Sequence, residues 1–322
     1  MRGTGWAGPP GPSVRARALA RYLRACARPV ADRLRFGGAQ LRVVREAYDT
    51  VGFTPLPRGT KVHAVSEQHG DGQVTGVWLT ARDADESAGV VLYLHGGGFV
   101  LGSPRTHRHL AALLSQASGM PVLLLDYRRA PEHPYPAAAD DALAAYQWLL
   151  DQGHPADKVV LASDSAGGHL AAWLLRGLAR RRAAMPGAAV FWSPFLDLTC
   201  SELDARDAEC RDPYIPPVRA REVAALYAGS FGVDHPGLDV FRGPKRRWPP
   251  TLVQVGGTEC LLADSRRLAD VLAAAGVHCE LQVWPGQVHV FPAFYPIVPE
   301  GRLAIGQAGV FLREVVARPL AA

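Results

Sequence analysis

The chain has 322 residues, 48% of them hydrophobic and 20% charged, which is the composition of a globular protein with a sizeable core. No apolar run approaches the roughly 18 residues that a membrane-spanning helix needs, so no transmembrane segment is predicted. The net charge of +5 comes from one end, because residues 1–35 hold eight arginines and one acid while the remainder sums to −2. A body without a basic excess argues against nucleic-acid binding.

The arginine-rich segment has two interpretations. In the first, the arginines form the solvated face of an amphipathic helix whose inward residues are Val14, Leu19, Tyr22, Leu23 and Cys26. In the second, the same arginines contact a membrane surface or a partner. The first is favoured, because a run of charge on a helix is more often a solvated face.

The cysteines indicate the compartment. They are odd in number, have no paired spacing, and no secretory hydrophobic segment precedes them. Free thiols in a reducing, cytoplasmic compartment are therefore predicted at Cys26, Cys200, Cys210, Cys260 and Cys279.

The N-terminal region is predicted to be helical after a disordered start. Residues 1–13 are rich in Gly and Pro, which predicts disorder. Residues 14–48 carry helical periodicity in at least two pieces, broken near Pro29 and at Gly37-Gly38.

From residue 62 onwards, strands alternate with helices. The first two strands flank the turn Gly70-Asp71-Gly72 and predict an antiparallel hairpin. The predicted strands are 62–67, 73–80, 89–94, 121–127, 158–162, 187–192, 251–256 and 279–283. The predicted helices are 106–118, 136–152, 169–178, 264–275 and 302–317. This alternation predicts a mostly parallel sheet covered on both faces, with the hairpin as an antiparallel edge.

One stretch interrupts the alternation. Residues 195–248 are irregular and punctuated by proline, with a single predicted helix at 219–227. Together with the N-terminal helices, this stretch is expected to form a lid. Its large apolar residues fit either an apolar pocket or the core of the lid itself; they are Phe195, Leu196, Tyr214, Ile215, Tyr227 and Phe231.

A cluster of small residues lies between the strand 158–162 and the next helix. A serine on such a turn is the nucleophile elbow, G-x-S-x-G, of α/β-hydrolases. The positions two before and two after the serine must be small, because strand and helix nearly touch there. Ser165 has Ser163 and Gly167 at those positions, whereas Ser163 as nucleophile would have Leu161. Ser165 is therefore the predicted nucleophile, with a serine replacing the first glycine of the pattern.

The glycine run at 95–99 also follows a strand directly. A dinucleotide-binding loop would need a glycine where Leu101 stands, and a P-loop would need a lysine where Ser103 stands. Both therefore fail, and no nucleotide cofactor is predicted. The remaining reading is an HGGG-type loop, whose backbone amides form an oxyanion hole. Glycine suits this role because a Cβ would block the substrate oxygen.

A serine nucleophile needs a histidine base held by an acid, in the chain order Ser, Asp/Glu, His. His289 stands in the loop after the last predicted strand, where it can lean over the carboxyl edge of the sheet. Glu259, just beyond the strand 251–256, is the favoured acid. Asp264 is the alternative, but its place in the first turn of a helix favours a capping role.

Four motifs in this order resemble the hormone-sensitive-lipase-like family of α/β-hydrolases, many of which are bacterial carboxylesterases. The motifs are HGGGF at 95–99, DYRRAPEHPYPAA at 126–138, DSAGG at 164–168 and GQVHVF at 286–291. The resemblance covers roughly residues 60–320. It implies the α/β-hydrolase fold, with a mostly parallel eight-stranded sheet, helices on both faces and a helical cap.

The resemblance also assigns roles to residues. It maps the oxyanion hole onto the amides of Gly97, Gly98 and Ala166. The family's acid lies thirty residues before its histidine, which supports Glu259, although an aspartate is commoner there. The family's cap comes from the N-terminus and an insertion. This divides the chain into cap helices at 1–58, core at 59–197, a cap insertion at 198–248 and core at 249–322.

The expected function is that of a serine carboxylesterase, which hydrolyses short- to medium-chain acyl esters through an acyl-enzyme. Its only expected partner is a small-molecule acyl ester, and it needs neither a cofactor nor a metal. The alternative is an N-deacetylase or amidase acting on a small metabolite. A non-catalytic ligand-binding protein, such as the plant gibberellin receptors of this family, is less favoured. Those receptors have lost the triad histidine, which this chain keeps.

Overall fold

The sheet contains eight strands in the described part of the chain, which in this computed structural model is Gly8 and residues 11–50 and 55–317. The strands are β1 (Lys61–His69), β2 (Gly72–Thr80), β3 (Val90–Leu94), β4 (Val122–Leu125), β5 (Val159–Asp164), β6 (Ala188–Trp192), β7 (Thr251–Gly256) and β8 (Cys279–Trp284). Their order is β1-β2-β4-β3-β5-β6-β7-β8. The β1–β2 and β2–β4 pairs are antiparallel and the others are parallel. The predicted sheet and its edge hairpin are confirmed.

Ten helices accompany the sheet within the same residues. They are α1 (Val14–Tyr22), α2 (Arg28–Arg33), α3 (Gly38–Thr50), α4 (Pro104–Ser118), α5 (Ala137–Asp151), α6 (Ala166–Arg181), α7 (Leu203–Cys210), α8 (Pro217–Ala228), α9 (Leu262–Ala274) and α10 (Pro299–Val316). Among the described helices, none is long and apolar enough to cross a membrane.

Both faces of the strands β3 to β7 are buried, as their unbroken apolar runs predict, whereas most of the edge strand β1 is exposed. In β3, Leu92 and Leu94 belong to the core that α5, α6 and α9 cover, whereas Val91 and Tyr93 belong to the core under α4 and α10. Because β3 to β8 run parallel, their carboxyl ends lie along one edge of the sheet. The loops that carry the predicted site residues begin at that edge.

The prediction of one helix between residues 195 and 248 is wrong, because α7 is present as well as α8. Of the eight residues of α7, only Leu203 is buried. The helix has no apolar stripe that a periodicity argument could detect. Its position is set by contacts with the rest of the molecule.

The predicted break at Pro29 is also wrong, whereas the one at Gly37-Gly38 is confirmed. One π-helical turn, Leu23–Ala27, leads from α1 directly into α2. Pro29 lies in the first turn of α2, directly after this π-helical turn, and the helix continues through it. The predicted disorder of residues 1–13 falls largely outside the described residues. Ser13, however, caps α1 and donates its N–H to Glu300 Oε1 at 2.6 Å.

The inward face of the N-terminal helix differs from the prediction. Leu19 and Leu23 are buried together with Ala16 and Ala20, which gives the spacing i, i+3, i+4, i+7. The predicted inward residues Val14, Tyr22 and Cys26 are exposed. Two alanines, rather than larger residues, complete the stripe.

Arg24 and Arg28 of the N-terminal segment form hydrogen bonds with residues 207–212. Arg28 donates to both carboxylate oxygens of Asp207, at 2.9 and 2.8 Å, and to the carbonyl oxygen of Asp212 at 2.8 Å. Arg24 donates to the carbonyl oxygen of Arg211 at 3.0 Å. This part of the basic segment fastens the N-terminal helices to the stretch between α7 and α8.

Candidate active site

Ser165 stands between β5 and α6 with a backbone that few non-glycine residues adopt, φ +49° and ψ −120°. The approach of helix to strand is as close as the elbow requires. A Cβ on Gly167 would lie 1.9 Å from the carbonyl oxygen of Leu94, so only glycine fits. Ser163, in the other small position, is buried and donates its hydroxyl to the carbonyl oxygen of Val190 at 3.3 Å. The serine that replaces the usual glycine is therefore accommodated.

His289 lies within hydrogen-bonding distance of both Ser165 and Glu259, although the three residues are far apart along the chain. His289 Nε2 is 2.9 Å from Ser165 Oγ, and His289 Nδ1 is 2.6 Å from Glu259 Oε2. His289 is 4% exposed and Glu259 is completely buried, so the bond between them is shielded from water, whereas Ser165 is half-buried. The arrangement can move the hydroxyl proton of the serine onto the ring.

The second carboxylate oxygen of Glu259 is also bonded. Glu259 Oε1 accepts the N–H of Gly256 at 2.6 Å and the hydroxyl of Ser193 at 2.7 Å. The same hydroxyl oxygen accepts the N–H of Val290 at 2.9 Å. Ser193 thus joins the acid to the residue that follows His289. Sequence reasoning missed Ser193, because a single serine after a strand carries no signal of its own.

Asp264 lies elsewhere. Its carboxylate accepts the N–H groups of Leu196 and Asp197, at 2.6 and 2.9 Å, and makes no hydrogen bond to His289. The prediction that it caps amides is right in kind, but the amides belong to the loop after β6 and not to its own helix. Burial raises the pKa of Asp264 to about 7.

Of the predicted oxyanion donors, Gly97 and Gly98 line the same cavity as the serine, and Ala166 follows the serine in the chain. Gly97 and Gly98 have φ of +113° and +61°, and a Cβ on Gly97 would lie 2.3 Å from the carbonyl oxygen of Leu101. Within the described residues, neither amide donates a hydrogen bond to the protein. Ala166 is the first residue of α6, so its N–H has no acceptor within the helix. None of the three amides therefore donates a hydrogen bond within the described residues.

The cavity at Ser165 has a volume of about 570 Å³, within the range of small-molecule sites. Its walls come mainly from four parts of the chain: the N-terminal helices, the segment 97–110, the segment 195–223 and the segment 289–297. Of the apolar residues for which a pocket or a core was expected, Phe195, Tyr214 and Ile215 line the cavity. Leu196 and Tyr227 instead belong to the buried core.

The pKa of His289 is set by opposing influences. Burial lowers it, but the charge of Glu259 and its hydrogen bond to the ring, with a smaller contribution from Asp212, raise it above 6.5. A histidine base must be neutral to accept the serine proton, so activity is expected to fall as the pH drops through this raised pKa. The acid half-point of kcat/KM, measured by pH-stat with a soluble ester, should therefore lie above 6.5. A half-point below that value would contradict the assignment.

A model of the family described as the alpha/beta hydrolase fold matches residues 91–293. The chain belongs to the α/β-hydrolase family. An acetyl-hydrolase of Streptomyces hygroscopicus is 41% identical over 276 residues, which are 86% of this chain and 88% of that protein. The carboxylesterase/phospholipase LipF of Mycobacterium tuberculosis is 40% identical over 243 residues, 73% of this chain and 65% of LipF.

Solved structures place this α/β-hydrolase in the predicted branch of the family. An esterase from the bacterial hormone-sensitive lipase family has a TM-score of 0.84 and 36% identity, and the match covers 95% of this chain and 99% of that one. The esterase EstE5, soaked with p-nitrophenyl butyrate, has a TM-score of 0.85 and 36% identity, with 95% and 100% covered. The predicted hormone-sensitive-lipase-like membership is confirmed.

Proposed function

We propose that the protein is a serine carboxylesterase that hydrolyses short- to medium-chain acyl esters through an acyl-enzyme. Its family and relatives make it a carboxylic-ester hydrolase. The observation that carries the serine mechanism is the continuous hydrogen-bonded chain from Glu259 through His289 to Ser165. Further support comes from the amides of Gly97 and Gly98, which line the cavity at the end of this chain of bonds and have no acceptor within the described residues.

In the proposed reaction, His289 Nε2 takes the hydroxyl proton of Ser165 while Oγ attacks the ester carbonyl carbon. The amides of Gly97, Gly98 and Ala166 stabilise the negative oxygen of the tetrahedral intermediate. The imidazolium then gives its proton to the departing alcohol, and Glu259 stabilises the charged ring. A water molecule activated by His289 attacks the acyl-serine, which releases the acid and restores the hydroxyl.

We also propose that α1–α3 and the insertion at 198–248 form the cap over this cavity. The support is that both supply its walls, including Phe36 from the first and Ile215 from the second. A cytoplasmic location is proposed on the cysteines, all five of which are free thiols.

Removal of an acetyl group from an amide is the second candidate. The name of the Streptomyces relative, acetyl-hydrolase, fits the hydrolysis of either an acetyl ester or an acetyl amide. The same serine, histidine and amides would serve either bond, and the difference lies in the leaving group. Matched substrates can therefore decide between the two candidates.

The test combines a substrate series with covalent labelling. We expect p-nitrophenyl acetate, butyrate and octanoate to be hydrolysed faster than the palmitate, and p-nitroacetanilide to be hydrolysed far more slowly than the acetate. A p-nitrophenyl alkylphosphonate should stop turnover and add its mass to the peptide that carries Ser165. Faster cleavage of the anilide would favour the amidase, and labelling of another residue would contradict the mechanism.

A further inference from the structure

The loop that carries Glu259 is bonded from outside by side chains of the insertion. Arg206 donates Nη2 to the carbonyl oxygen of Gly257 at 2.7 Å and Nε to that of Glu259 at 3.4 Å. Asp212 Oδ2 accepts the N–H of Cys260 at 2.8 Å. Two side chains of opposite charge therefore hold three backbone groups of one short loop, which we call the acid loop (residues 257–260).

Asp212 is held firmly in its own place. It is completely buried, and its Oδ1 accepts the N–H groups of Tyr214 and Ile215 at 3.0 and 2.9 Å. Its carbonyl oxygen accepts Nη1 of Arg28 from the N-terminal helix at 2.8 Å. Three amide N–H groups donate to this carboxylate, and hydrogen bonds to a charged group are the strong ones, although burial outweighs them and raises the pKa of Asp212.

The same turn also contacts the base. The hydroxyl of Tyr214 donates to the carbonyl oxygen of His289 at 2.5 Å, and the phenol ring lines the cavity. Asp212 and Tyr214 are two residues apart, so a single turn of the insertion bonds both to the acid loop and to the histidine. Neither bond belongs to the triad itself.

We propose that Asp212 is a positioning residue of the esterase: it fixes the acid loop so that the Glu259 carboxylate meets His289. The inference rests on the proposed serine mechanism. It makes the insertion part of the catalytic framework as well as a wall of the cavity. A displacement of about 1 Å in such an arrangement can cost roughly 100-fold in rate.

The charge of Asp212 has a second effect on the histidine. The ionisable groups whose charges act on His289 are the carboxylates of Glu259, Asp212 and Asp164. The ionisable groups that face Asp212 are His289, Cys210, Tyr214 and Cys260. Asp207 accepts the N–H of Asp212, and the Arg28 guanidinium donates to the carbonyl oxygen of Asp212. Loss of the Asp212 charge should therefore favour the neutral form of His289.

The test is Asp212→Asn, assayed with p-nitrophenyl butyrate. The asparagine oxygen can keep the two local amides of Tyr214 and Ile215, while its NH₂ group then faces the N–H of Cys260 and the link to the acid loop is lost. We expect kcat to fall about 10- to 100-fold. KM should change less than about threefold, and the acid half-point of kcat/KM should move to lower pH. Unchanged kcat and half-point would overturn the proposal.

Asp141→Asn is the matched control. Asp141 is also completely buried, and it accepts the N–H groups of Gln73 and Arg128, at 2.8 Å each, away from the cavity. This variant should lose stability but keep kcat and the pH profile. If Asp212→Asn does not fold, Arg206→Met removes the other two side-chain bonds to the acid loop, those to the carbonyl oxygens of Gly257 and Glu259. It should also lower kcat, and an unchanged kcat in that variant would overturn the proposal.

A double-variant comparison separates positioning from general damage. When one residue acts through another, the effects of substituting both do not add. In a Glu259→Gln background, Asp212→Asn should cost less than about threefold in kcat, and an equal cost in both backgrounds would overturn the proposal. If the phosphonate labels Ser165 and stops ester hydrolysis by the wild type, while Asp212→Asn leaves kcat unchanged, only this inference fails. Absence of such labelling would instead remove the proposed function.

Discussion

Ser165→Ala is expected to lower kcat on p-nitrophenyl esters by roughly 10⁶-fold, as the loss of the nucleophile does in other serine hydrolases. Without Oγ there is no acyl-enzyme, and His289 has no proton to take. The fold should survive, because alanine keeps a Cβ at φ +49° and Ser165 Oγ bonds to His289 alone among the described residues. Stopped assays over several hours, with circular dichroism and a thermal melt, would measure both expectations.

The control for this variant is Ser115→Ala. Ser115 is completely buried, and its hydroxyl oxygen accepts the N–H of Ala81 at 3.0 Å, outside the cavity. Its loss should lower the melting temperature while kcat stays within about twofold. Turnover by Ser165→Ala at more than about one per cent of the wild-type rate would mean that another group is the nucleophile.

Glu259→Gln is expected to lower kcat by about 10⁴-fold, the cost of replacing a triad carboxylate by its amide in a related chemistry. The amide cannot both accept the Nδ1 proton of His289 and accept the two donors on Oε1, which are the Gly256 N–H and the Ser193 hydroxyl. It also removes the charge that stabilises the imidazolium. Full pH profiles and phosphonate labelling rates would measure the loss.

The competing acid provides the comparison. Asp264→Asn should lower stability, because its carboxylate holds two amides of the loop after β6, but it should leave kcat within about fivefold. Glu259→Asp keeps the charge on a shorter side chain, so its activity should lie between that of the wild type and that of Glu259→Gln. If Asp264→Asn is the more damaging variant in kcat, the acid has been misassigned.

The sequence was sufficient for the groups that lie in motifs at strand ends. The sequence favours Ser165 as the nucleophile because the residue two positions later, Gly167, is small. In the structure, a Cβ on Gly167 would lie only 1.9 Å from the carbonyl oxygen of Leu94. His289 and Glu259 follow strands that are easily recognised as buried apolar runs, and the carboxyl ends of parallel strands share one edge. Of eleven histidines, chain order leaves His278 and His289 after Glu259, and His278 is set aside because it stands at the start of a predicted strand.

The groups that escaped are those whose positions depend on tertiary contacts. Ser193 and Asp212 stand in irregular segments, and nothing local distinguishes them from surface residues. Their roles come from Glu259 and Cys260, which lie 66 and 48 residues away in the chain. The helix α7 escaped for a similar reason, since it has one buried residue and no apolar stripe. The predicted inward face of α1 is wrong because small alanines, Ala16 and Ala20, are buried there instead of the larger Val14 and Tyr22.

The bonds between the insertion and the acid loop limit how substrate preference can change in this protein. A chimera that exchanges the whole insertion for a relative's would remove Arg206 and Asp212 along with the cavity wall, and the acid loop would lose three backbone partners. An exchange that begins after Tyr214 would keep those anchors and still replace wall residues such as Ile215, Ala220 and Val223. Substitutions that alter substrate preference are therefore expected to be tolerated best in the part of the insertion that follows Tyr214.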